Sequence, residues 1–419
     1  MSLWFRQEIQ AMPWQVNLSD ALPDLHPVSG FRLGTTSADI KTPGRPDLVV
    51  MEMAAGSTTA AVFTQNAFCA APVIVAREHL ARQQPGYLLV NTGNANAGTG
   101  EAGVRDARQC CAALAGHAGC SAQAVLPFST GVIGEPLPAG KIQSSLPAAL
   151  QRLDEHGWSD AATGILTTDT VAKGSSKRIV LDGEAVTITG IAKGSGMIRP
   201  DMATMLAFIA TDATVERDVL QDCLLAATDK SFNRITVDGD TSTNDACVLV
   251  ATGKSAAPAI ARDGVNYELF CSAVSDVCTQ LAQAIVRDGE GATRFVTVAV
   301  DSGHSSDECL GVAYTIAHSP LVKTALFAGD PNWGRILAAV GRAGVTGLDL
   351  EAIQIYLDDL CIVRDGGRAP EYTEAAGQQV MDRKDITIRV VLNRGGYSEE
   401  IWTCDLSYDY VKINAEYRT

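Results

Sequence analysis

The alternation of apolar and polar positions predicts short helices and strands along the chain. In residues 101–115, apolar side chains recur at the spacing of one helical face, and Gly116 is a stop signal. Residues 177–191 contain two β-rich runs on either side of Asp182 and Gly183, a pair that is typical of a two-residue hairpin turn. The pattern therefore predicts a helix that is followed by a β-hairpin.

Two apolar runs, at residues 205–211 and 246–251, are short and bounded by polar residues, which is typical of buried strands. Between these runs, Thr214 can cap a helix whose apolar positions continue at helical spacing. The amphipathic stretch at residues 267–287 predicts a further, longer helix that packs on the core through one apolar stripe.

The pattern changes after a strand predicted at residues 294–300. Ser319 and Pro320 are typical of a helix start, because serine caps the first turn and proline fits inside it. The β-rich runs that follow lie near residues 352–363, 385–394 and 408–414. We therefore expect an α/β fold of sheets covered by helices, with one domain at residues 1–300 and a C-terminal domain at residues 301–419.

Composition narrows the possible partners of this chain. Its 419 residues carry a formal net charge of −15, and such a surface repels nucleic acid phosphates and anionic lipid, so neither partner is expected. The sequence lacks a run of about 18 apolar residues, so no membrane span is expected, and its first residues do not resemble a signal peptide. The 11 cysteines, without a CxxC pair, suit buried thiols in a reducing compartment, so we expect a cytoplasmic protein.

Common cofactor and metal motifs are incomplete in this sequence. Residues 253–255 end like a P-loop, but Val248 occupies the position of its first glycine. The segment at Gly194 lacks the third glycine of a dinucleotide fingerprint, and Thr243 replaces the glycine of a calcium loop that would begin at Asp238. The six histidines are scattered and there is no GxSxG motif, so neither a metal site nor a Ser-His-Asp triad is indicated.

The segment at residues 193–212 has the layout of an N-terminal nucleophile. A glycine-containing polar stretch leads to Ala203 and Thr204, and an apolar strand follows at once. The Thr204 hydroxyl can attack the Ala203 carbonyl, and hydrolysis of the ester frees an α-amine with an ordinary pKa near 8. That amine can act as general base for its own hydroxyl, although an Ala-Thr pair before a strand often has only a structural role.

This segment closely resembles the cleavage motif of the ornithine acetyltransferase family, whose biosynthetic members are called glutamate N-acetyltransferases. The resemblance covers the chain from about residue 28 to its last residue. The matching segments are residues 30–31 and 40–47, VNTGNANAGTGEAG at 90–103, PFSTGVIGEPLP at 127–138, TTDT at 167–170, FNRITVDGDTSTND at 232–245, VRDGEGATRF at 286–295, GDPNWGRILAAVGRAG at 329–344 and DYVKINAEYRT at 409–419.

The resemblance implies cleavage between Ala203 and Thr204, which divides the chain into an α piece (1–203) and a β piece (204–419) with Thr204 as nucleophile. It also implies an oxyanion hole, because a hydroxyl and a backbone N–H can both donate to an oxyanion. The residues that match this pair are Thr130 and Gly131. Besides Thr204, the implied substrate contacts are Thr167 or Thr168, Lys193, Glu290, Asn414 and Thr419.

The implied reaction is a double displacement. The nucleophile takes the acetyl group from N²-acetylornithine and passes it to glutamate, which completes a step of arginine biosynthesis without a metal or an organic cofactor. Acetyl-CoA is a second acetyl donor that some family members accept. The family fold is a layered α/β/β/α sandwich, similar to that of self-cleaving aminopeptidases, and we expect a smaller C-terminal α+β domain beside it in this chain. Family members assemble from α and β pieces, so we expect a heterotetramer or a larger oligomer.

Two alternatives remain open at this point. An N-terminal-nucleophile amidase or aminopeptidase on the same fold would use Thr204 but pass the acyl group to water, so acceptor choice separates it from a transferase. A non-catalytic binding protein could keep the fold without cleavage. The joint presence of Thr130, Gly131, Lys193 and Thr204 argues against the second alternative.

Overall fold

The computed structural model describes residues 22–199, 205–262 and 264–416, and these ranges contain fifteen strands and eleven helices. The strands are β1 (Phe31–Thr36), β2 (Leu48–Met53), β3 (Thr58–Phe63), β4 (Tyr87–Asn94), β5 (Val125–Val132), β6 (Lys173–Leu181), β7 (Glu184–Lys193), β8 (Leu206–Thr211), β9 (Ala246–Ala251), β10 (Phe295–Gly303), β11 (Gln354–Leu357), β12 (Leu360–Arg364), β13 (Gly367–Arg368), β14 (Asp385–Val391) and β15 (Tyr397–Cys404).

Eleven helices lie between these strands along the described part of the chain or follow the last of them. They are α1 (Ala71–Arg82), α2 (Gly100–Ala118), α3 (Ala139–Gln151), α4 (Trp158–Gly164), α5 (Arg217–Asp229), α6 (Val265–Arg287), α7 (Ser306–Ala317), α8 (Pro320–Ala328), α9 (Trp333–Gly341), α10 (Glu374–Met381) and α11 (Tyr408–Ala415). Two short 3₁₀ turns, at Ala122–Ala124 and Phe232–Arg234, precede β5 and β9.

The strands form three sheets. The first sheet has the order β1-β2-β4-β5, the second β3-β9-β8-β7-β6 and the third β13-β12-β11-β14-β10-β15. β4 and β5 are parallel, as are β8 and β9, whereas the other neighbours in these two sheets are antiparallel. The mixture of parallel and antiparallel pairs is consistent with sheets that are covered on one face by helices and on the other by a second sheet.

The first and second sheets stack face to face with helices outside both. Phe128 of the first sheet and Phe208 of the second meet edge to face, with ring centroids 5.1 Å apart, in one continuous apolar cluster. The outer face of the first sheet packs on α2 and α3, and the outer face of the second packs on α5 and α6. These layers confirm the predicted α/β/β/α sandwich.

The third sheet has its own apolar core, which includes side chains of helices α7 to α10. Its strand β10 spans the expected division at residue 300 and pairs with β14 and β15. The first strand of the third sheet along the chain begins at Phe295, five residues before the expected boundary at residue 300. The division into domains at residues 1–300 and 301–419 stays a prediction.

Among the described helices, α6 has the length and composition of a membrane span. Its Phe270, Val277 and Leu281 side chains are nevertheless fully or almost fully buried in the cluster that joins α6 to the second sheet. Burial of this kind is what a core helix of a globular domain shows, and it agrees with the amphipathic stripe predicted at residues 267–287.

Most local predictions are confirmed. The hairpin β6–β7 turns at Asp182 and Gly183, which both have positive φ, and β9 has the predicted bounds. Ser319 caps α8, and its hydroxyl oxygen accepts a hydrogen bond from the backbone N–H of Val322. These features depend on local chemistry that a few neighbouring residues determine.

Three local predictions are wrong. Residues 408–414 form helix α11 rather than a strand, because the Ser407 side chain caps the first turn by accepting from the Tyr410 N–H. Helix α5 begins at Arg217 with Glu216 in the cap position, while Thr214 instead offers its carbonyl to Ile260. Helix α2 continues past Gly116 and ends at Ala118, followed by Gly119, whose left-handed φ of 69° suits a helix C-cap.

Candidate active site

A cavity of about 270 Å³ collects most of the residues that the sequence singled out. Its lining includes Thr130, Gly131, Thr167, Thr168, Lys193, Glu290 and Asn414, together with Met197, Ser242 and Asn244. The other predicted site residues, Ala203, Thr204 and Thr419, lie outside the described residues. Segments separated by more than 280 residues thus meet at one place, while the role of each residue stays a prediction.

Thr130 and Gly131 lie near the end of β5, where the pairing with β4 is irregular. Asn94 pairs with both Thr130 and Val132, so the backbone bulges at this point. Gly131 has a φ of 133°, and a Cβ atom placed there would lie 2.6 Å from the backbone nitrogen of Asn94. Only glycine fits this close approach, which leaves the edge of the backbone exposed to the cavity.

Asn244, in the loop before β9 of the second sheet, holds this bulge in place through its side chain. Its side-chain amide donates to the carbonyl of Ala95 at 2.6 Å and to that of Ser129 at 2.8 Å. Both acceptors flank the bulged pair, so a single buried amide joins the ends of β4 and β5 to the loop before β9. The sequence prediction missed Asn244, although it is part of the segment FNRITVDGDTSTND.

Lys193 ends β7 and is almost completely buried, with 7% of its surface exposed. Its ammonium Nζ donates to Thr130 Oγ1 at 3.3 Å and lies 3.9 Å from Asp169 Oδ2. Burial lowers the pKa of Lys193, and the nearby Asp169 carboxylate opposes that shift only in part. It therefore costs free energy to keep Lys193 charged inside the protein, a situation that is typical of functional sites.

A buried ionic network supports Lys193, and the sequence prediction missed it. Asp169 accepts hydrogen bonds from Lys173 Nζ and from the Gly194 N–H, both at 2.7 Å, and Lys173 also donates to Asp288 at 2.6 Å. Burial alone would raise the pKa of Asp169, but the Lys173 and Lys193 ammonium groups and these hydrogen bonds outweigh burial and lower it. Asp169 is consequently ionised beside the cavity.

Glu290 and Asn414 also line the cavity and are hydrogen-bonded to each other. Asn414 Nδ2 donates to Glu290 Oε2 at 2.7 Å, and the Glu290 N–H donates to the Ser195 carbonyl at 2.9 Å. A Cβ atom on Gly196 would lie 2.5 Å from Glu290 Cδ, so the carboxylate lies directly over a residue that has no side chain. Glu290 therefore presents a negative charge to the same cavity that contains Lys193.

Asp245 is a second buried carboxyl group that the sequence prediction missed. It precedes β9, is only 2% exposed and is hydrogen-bonded by the Met205 N–H and the Ser242 hydroxyl. Burial raises its pKa well above the ordinary value, and its Oδ2 atom has no hydrogen-bond partner within the described ranges. A buried carboxyl group with a raised pKa, beside the first described residue after the predicted cleavage bond, favours a functional role for this end of β8 and β9.

A neighbouring cavity of about 240 Å³ shares Gly131, Val132, Thr167 and Thr168 with the first. Arg45 lines it and donates to the Leu166 and Thr167 carbonyls at 2.9 and 3.2 Å, which holds the loop that carries Thr167 and Thr168. No cluster of three or more histidine, cysteine, aspartate or glutamate side chains suited to a metal ion occurs in the described part of the chain.

The site brings a threonine hydroxyl, a glycine backbone, a buried ammonium group and a carboxylate to one cavity at the meeting point of two stacked sheets with outer helices, an arrangement that suits acyl transfer. The fold and site together define an α/β/β/α enzyme of the acyl-transfer class. The profile of the ArgJ family matches residues 32–419, and the chain therefore belongs to the ArgJ family.

Two bacterial relatives of high sequence identity agree with this membership. The arginine biosynthesis bifunctional protein ArgJ of Pseudomonas fluorescens is 61% identical over 399 residues, which cover 95% of this chain and 98% of that protein. The protein of the same name from Methylococcus capsulatus is 59% identical over 409 residues, 98% of this chain and 100% of its own. A crystal structure of the Bacillus halodurans protein is 38% identical and covers 51% of this chain and 99% of that chain, with a TM-score of 0.49.

Proposed function

We propose that the chain transfers the acetyl group of N²-acetylornithine to glutamate through an acetyl-Thr204 intermediate, after cleavage between Ala203 and Thr204. The chain is an acyltransferase of arginine biosynthesis, of the ornithine acetyltransferase and glutamate N-acetyltransferase type, as its ArgJ family membership shows. The observation that carries the proposed mechanism is the convergence of Thr130, Gly131, Lys193, Glu290 and Asn414 on one cavity.

Cleavage precedes transfer in this mechanism. The Thr204 hydroxyl attacks the Ala203 carbonyl, and the C–N bond to Thr204 breaks as an ester forms, so the nitrogen takes up a proton and becomes a new α-amine. Water then hydrolyses the ester, which gives the Ala203 carboxylate and restores the Thr204 hydroxyl. That amine then takes the proton from the Thr204 hydroxyl as the hydroxyl attacks the acetyl carbonyl of the substrate. The buried Asp245 carboxyl group, whose pKa is raised by burial, accepts from the Met205 N–H and so lies next to the first described residue after the bond.

The cavity offers a complementary group for each part of the substrate. The Thr130 hydroxyl and the Gly131 N–H can donate to the oxyanion of the tetrahedral intermediate. Glu290 can pair with a substrate ammonium group, and Lys193 with a carboxylate. Acetylornithine and glutamate share an amino-acid carboxylate, so one cavity can receive the donor and, after ornithine leaves, the acceptor.

The remaining features of the proposal follow from the same chemistry. Covalent transfer through a threonine needs neither a metal nor an organic cofactor, and acetyl-CoA is a further donor from which the free Thr204 hydroxyl can take an acetyl group, with CoA as the leaving group. We propose a cytoplasmic enzyme, which the absence of a disulfide among its eleven cysteines supports. The α and β pieces stay together because the strand pair β7 and β8 joins them across the predicted bond, and we propose a heterotetramer or larger assembly.

Intact mass spectrometry of the purified protein beside its Thr204→Ala and Thr204→Ser variants tests the proposal. We expect two pieces of about equal size in the wild type, with the second beginning at Thr204, and one uncut chain in the alanine variant. The serine variant retains a hydroxyl and should still be cut, although at a different rate. A single uncut chain in the folded wild type would rule out the mechanism.

Acceptor choice tests the rest of the proposal. The cut protein is mixed with acetylornithine, with and without glutamate, and N-acetylglutamate and free acetate are both quantified. We expect acetyl transfer to glutamate to exceed release of acetate. Acetate as the main product in the presence of glutamate would instead support an amidase on the same fold.

A further inference from the structure

The carboxyl group of Asp238 gathers four hydrogen bonds from three separate segments. Its Oδ2 accepts from the Met197 N–H at 2.6 Å and from the Tyr410 hydroxyl at 3.2 Å, and its Oδ1 accepts from the Ile198 N–H at 2.9 Å and the Asp240 N–H at 3.2 Å. Asp238 does not line the cavity, so it contributes to the site only through the groups that it holds.

The first segment that Asp238 holds is the turn at Met197 and Ile198. Met197 has a φ of 59°, a left-handed conformation that costs free energy for a residue with a side chain. The Ile198 carbonyl accepts from the Thr236 hydroxyl at 2.9 Å and from the Val237 N–H at 3.0 Å, so the neighbours of Asp238 secure the same turn. Met197 lines the cavity, and Ile198 precedes Ala203 of the predicted cleavage bond by five positions in the sequence.

The second segment is helix α11, which carries Asn414. Helix α11 has no buried residue, and it is attached by side-chain hydrogen bonds together with the edge-to-face contact of Tyr408 with Phe327. Tyr410 donates to Asp238 and Asn414 donates to Glu290, and the two residues are four positions apart on one face of the helix. Loss of the Tyr410 bond therefore removes one of the contacts that hold α11 in place and orient Asn414.

We propose that Asp238 is a positioning residue that fixes two walls of the catalytic cavity at once, the Met197 turn and helix α11. The inference rests on the proposed function and names a residue through which the cleavage segment and the substrate contacts are coupled. One carboxylate is well suited to this task, because its two oxygens can accept several hydrogen bonds that a neutral side chain cannot all accept.

The electrostatics of Tyr410 and Asp238 agree with a phenol that donates the hydrogen bond and a carboxylate that accepts it. Burial first, and then the charge of Asp238, raise the pKa of Tyr410 far above its ordinary value, so the phenol keeps its proton. Burial also raises the pKa of Asp238, while the Met197, Asp240 and Ile198 N–H groups oppose that shift. The exposed neighbour Asp240 donates its backbone N–H to Asp238 and offers a matched control, because its own carboxylate takes no part in the four hydrogen bonds of Asp238.

Three variants test the contributions of the Met197 turn and helix α11 separately. Tyr410→Phe removes one contact of α11 but leaves the turn intact, so we expect KM for acetylornithine to rise about 3- to 10-fold, with kcat and the rate of self-cleavage unchanged. Asp238→Asn loses charge-assisted bonds to both walls, so we expect the same rise in KM and, in addition, self-cleavage about 10- to 100-fold slower. Asp240→Asn should change neither quantity by more than about twofold.

The measurements are the rate of appearance of the two pieces by mass spectrometry and the steady-state kinetics of the cut proteins, with circular dichroism as a check on folding. Wild-type values in both Tyr410→Phe and Asp238→Asn overturn the inference while the proposed function stands. If Asp238→Asn does not fold, Tyr410→Phe decides alone, and slowed cleavage or an unchanged KM in that variant contradicts the separation of the walls. Failure of the wild type itself to cleave counts against the proposed function instead.

Discussion

The ammonium group of Lys193 donates to the hydroxyl oxygen of Thr130 at 3.3 Å, and the two residues belong to different sheets. Thr130 is on β5 of the first sheet, and Lys193 is the last residue of β7 in the second. Because the Thr130 oxygen accepts from Lys193, its own hydrogen remains for donation to a second acceptor. The stacking of the sheets thereby orients the hydroxyl that we expect to donate to an oxyanion.

Removal of that hydroxyl should slow acetyl transfer severely. We expect Thr130→Val to lower kcat about 100- to 1000-fold, because it removes one donor from the oxyanion hole, while Thr130→Ser should retain most of the activity. Release of ornithine from acetylornithine in a single turnover measures this step without the contribution of the acceptor. A valine variant within about tenfold of the wild type would show that Thr130 is not an oxyanion donor.

The layers of the fold could be predicted from the sequence, whereas much of the site could not. Strand β9 and the β6–β7 hairpin follow from an apolar run and a two-residue turn, which are local signals. Asn414 and Glu290 are 124 positions apart, and nothing in either segment specifies that they meet. The resemblance nevertheless named both residues because it compares whole motifs rather than contacts.

The residues that the sequence prediction missed are held by long-range electrostatics. Lys173 connects Asp169 to Asp288, 115 positions further along the chain, and an isolated charge in the sequence does not reveal its partner. The strand wrongly predicted at residues 408–414 has a different cause, because there the local residue types were misleading. Tyr408 and Val411 favour strands by type, but both are highly exposed in α11, where the Ser407 cap and the bonds of Tyr410 and Asn414 determine the conformation.

A methyl group on Gly196 should weaken substrate binding. A Cβ atom there would lie 2.5 Å from Glu290 Cδ, so we expect Gly196→Ala to displace the carboxylate and raise KM for acetylornithine about 10-fold or more, as loss of a charge-assisted contact does. Gly86→Ala is the matched control, because a Cβ atom at Gly86 meets nothing within 4 Å. Equal KM values in the two variants would contradict a substrate contact at Glu290.

Neutralisation of Asp169 should destabilise the fold. Asp169→Asn leaves the buried Lys193 without its neighbouring charge, and loss of one partner in a buried ion pair typically costs about 3 to 5 kcal/mol. Asp276→Asn removes the partner of Lys177 in a half-exposed pair, for which we expect less than about 1 kcal/mol. Urea unfolding of both variants in the uncut Thr204→Ala background measures the difference, and equal losses would mean that the network contributes nothing beyond a surface pair.

The stability of the fold should also depend on His318 as the pH falls. Burial first, and then Arg199, Lys323 and Arg342, lower the pKa of His318 from 6.5 to about 4, while its Nε2 lies 3.0 Å from Thr236 Oγ1. Between pH 6.5 and 4 the unfolded chain therefore binds a proton at His318 that the folded chain does not, so this residue makes the free energy of unfolding decrease as the pH falls through that window.

Replacement by an uncharged residue should remove this contribution. We expect His318→Gln to lose less stability than the wild type between pH 6.5 and 4, by about 1 to 2 kcal/mol after solvent screening is allowed for. Urea unfolding at several pH values measures both proteins in the Thr204→Ala background, and the difference between them isolates His318 from the carboxylates that titrate in the same range. Parallel pH profiles would show that His318 is protonated equally in the folded and unfolded chains.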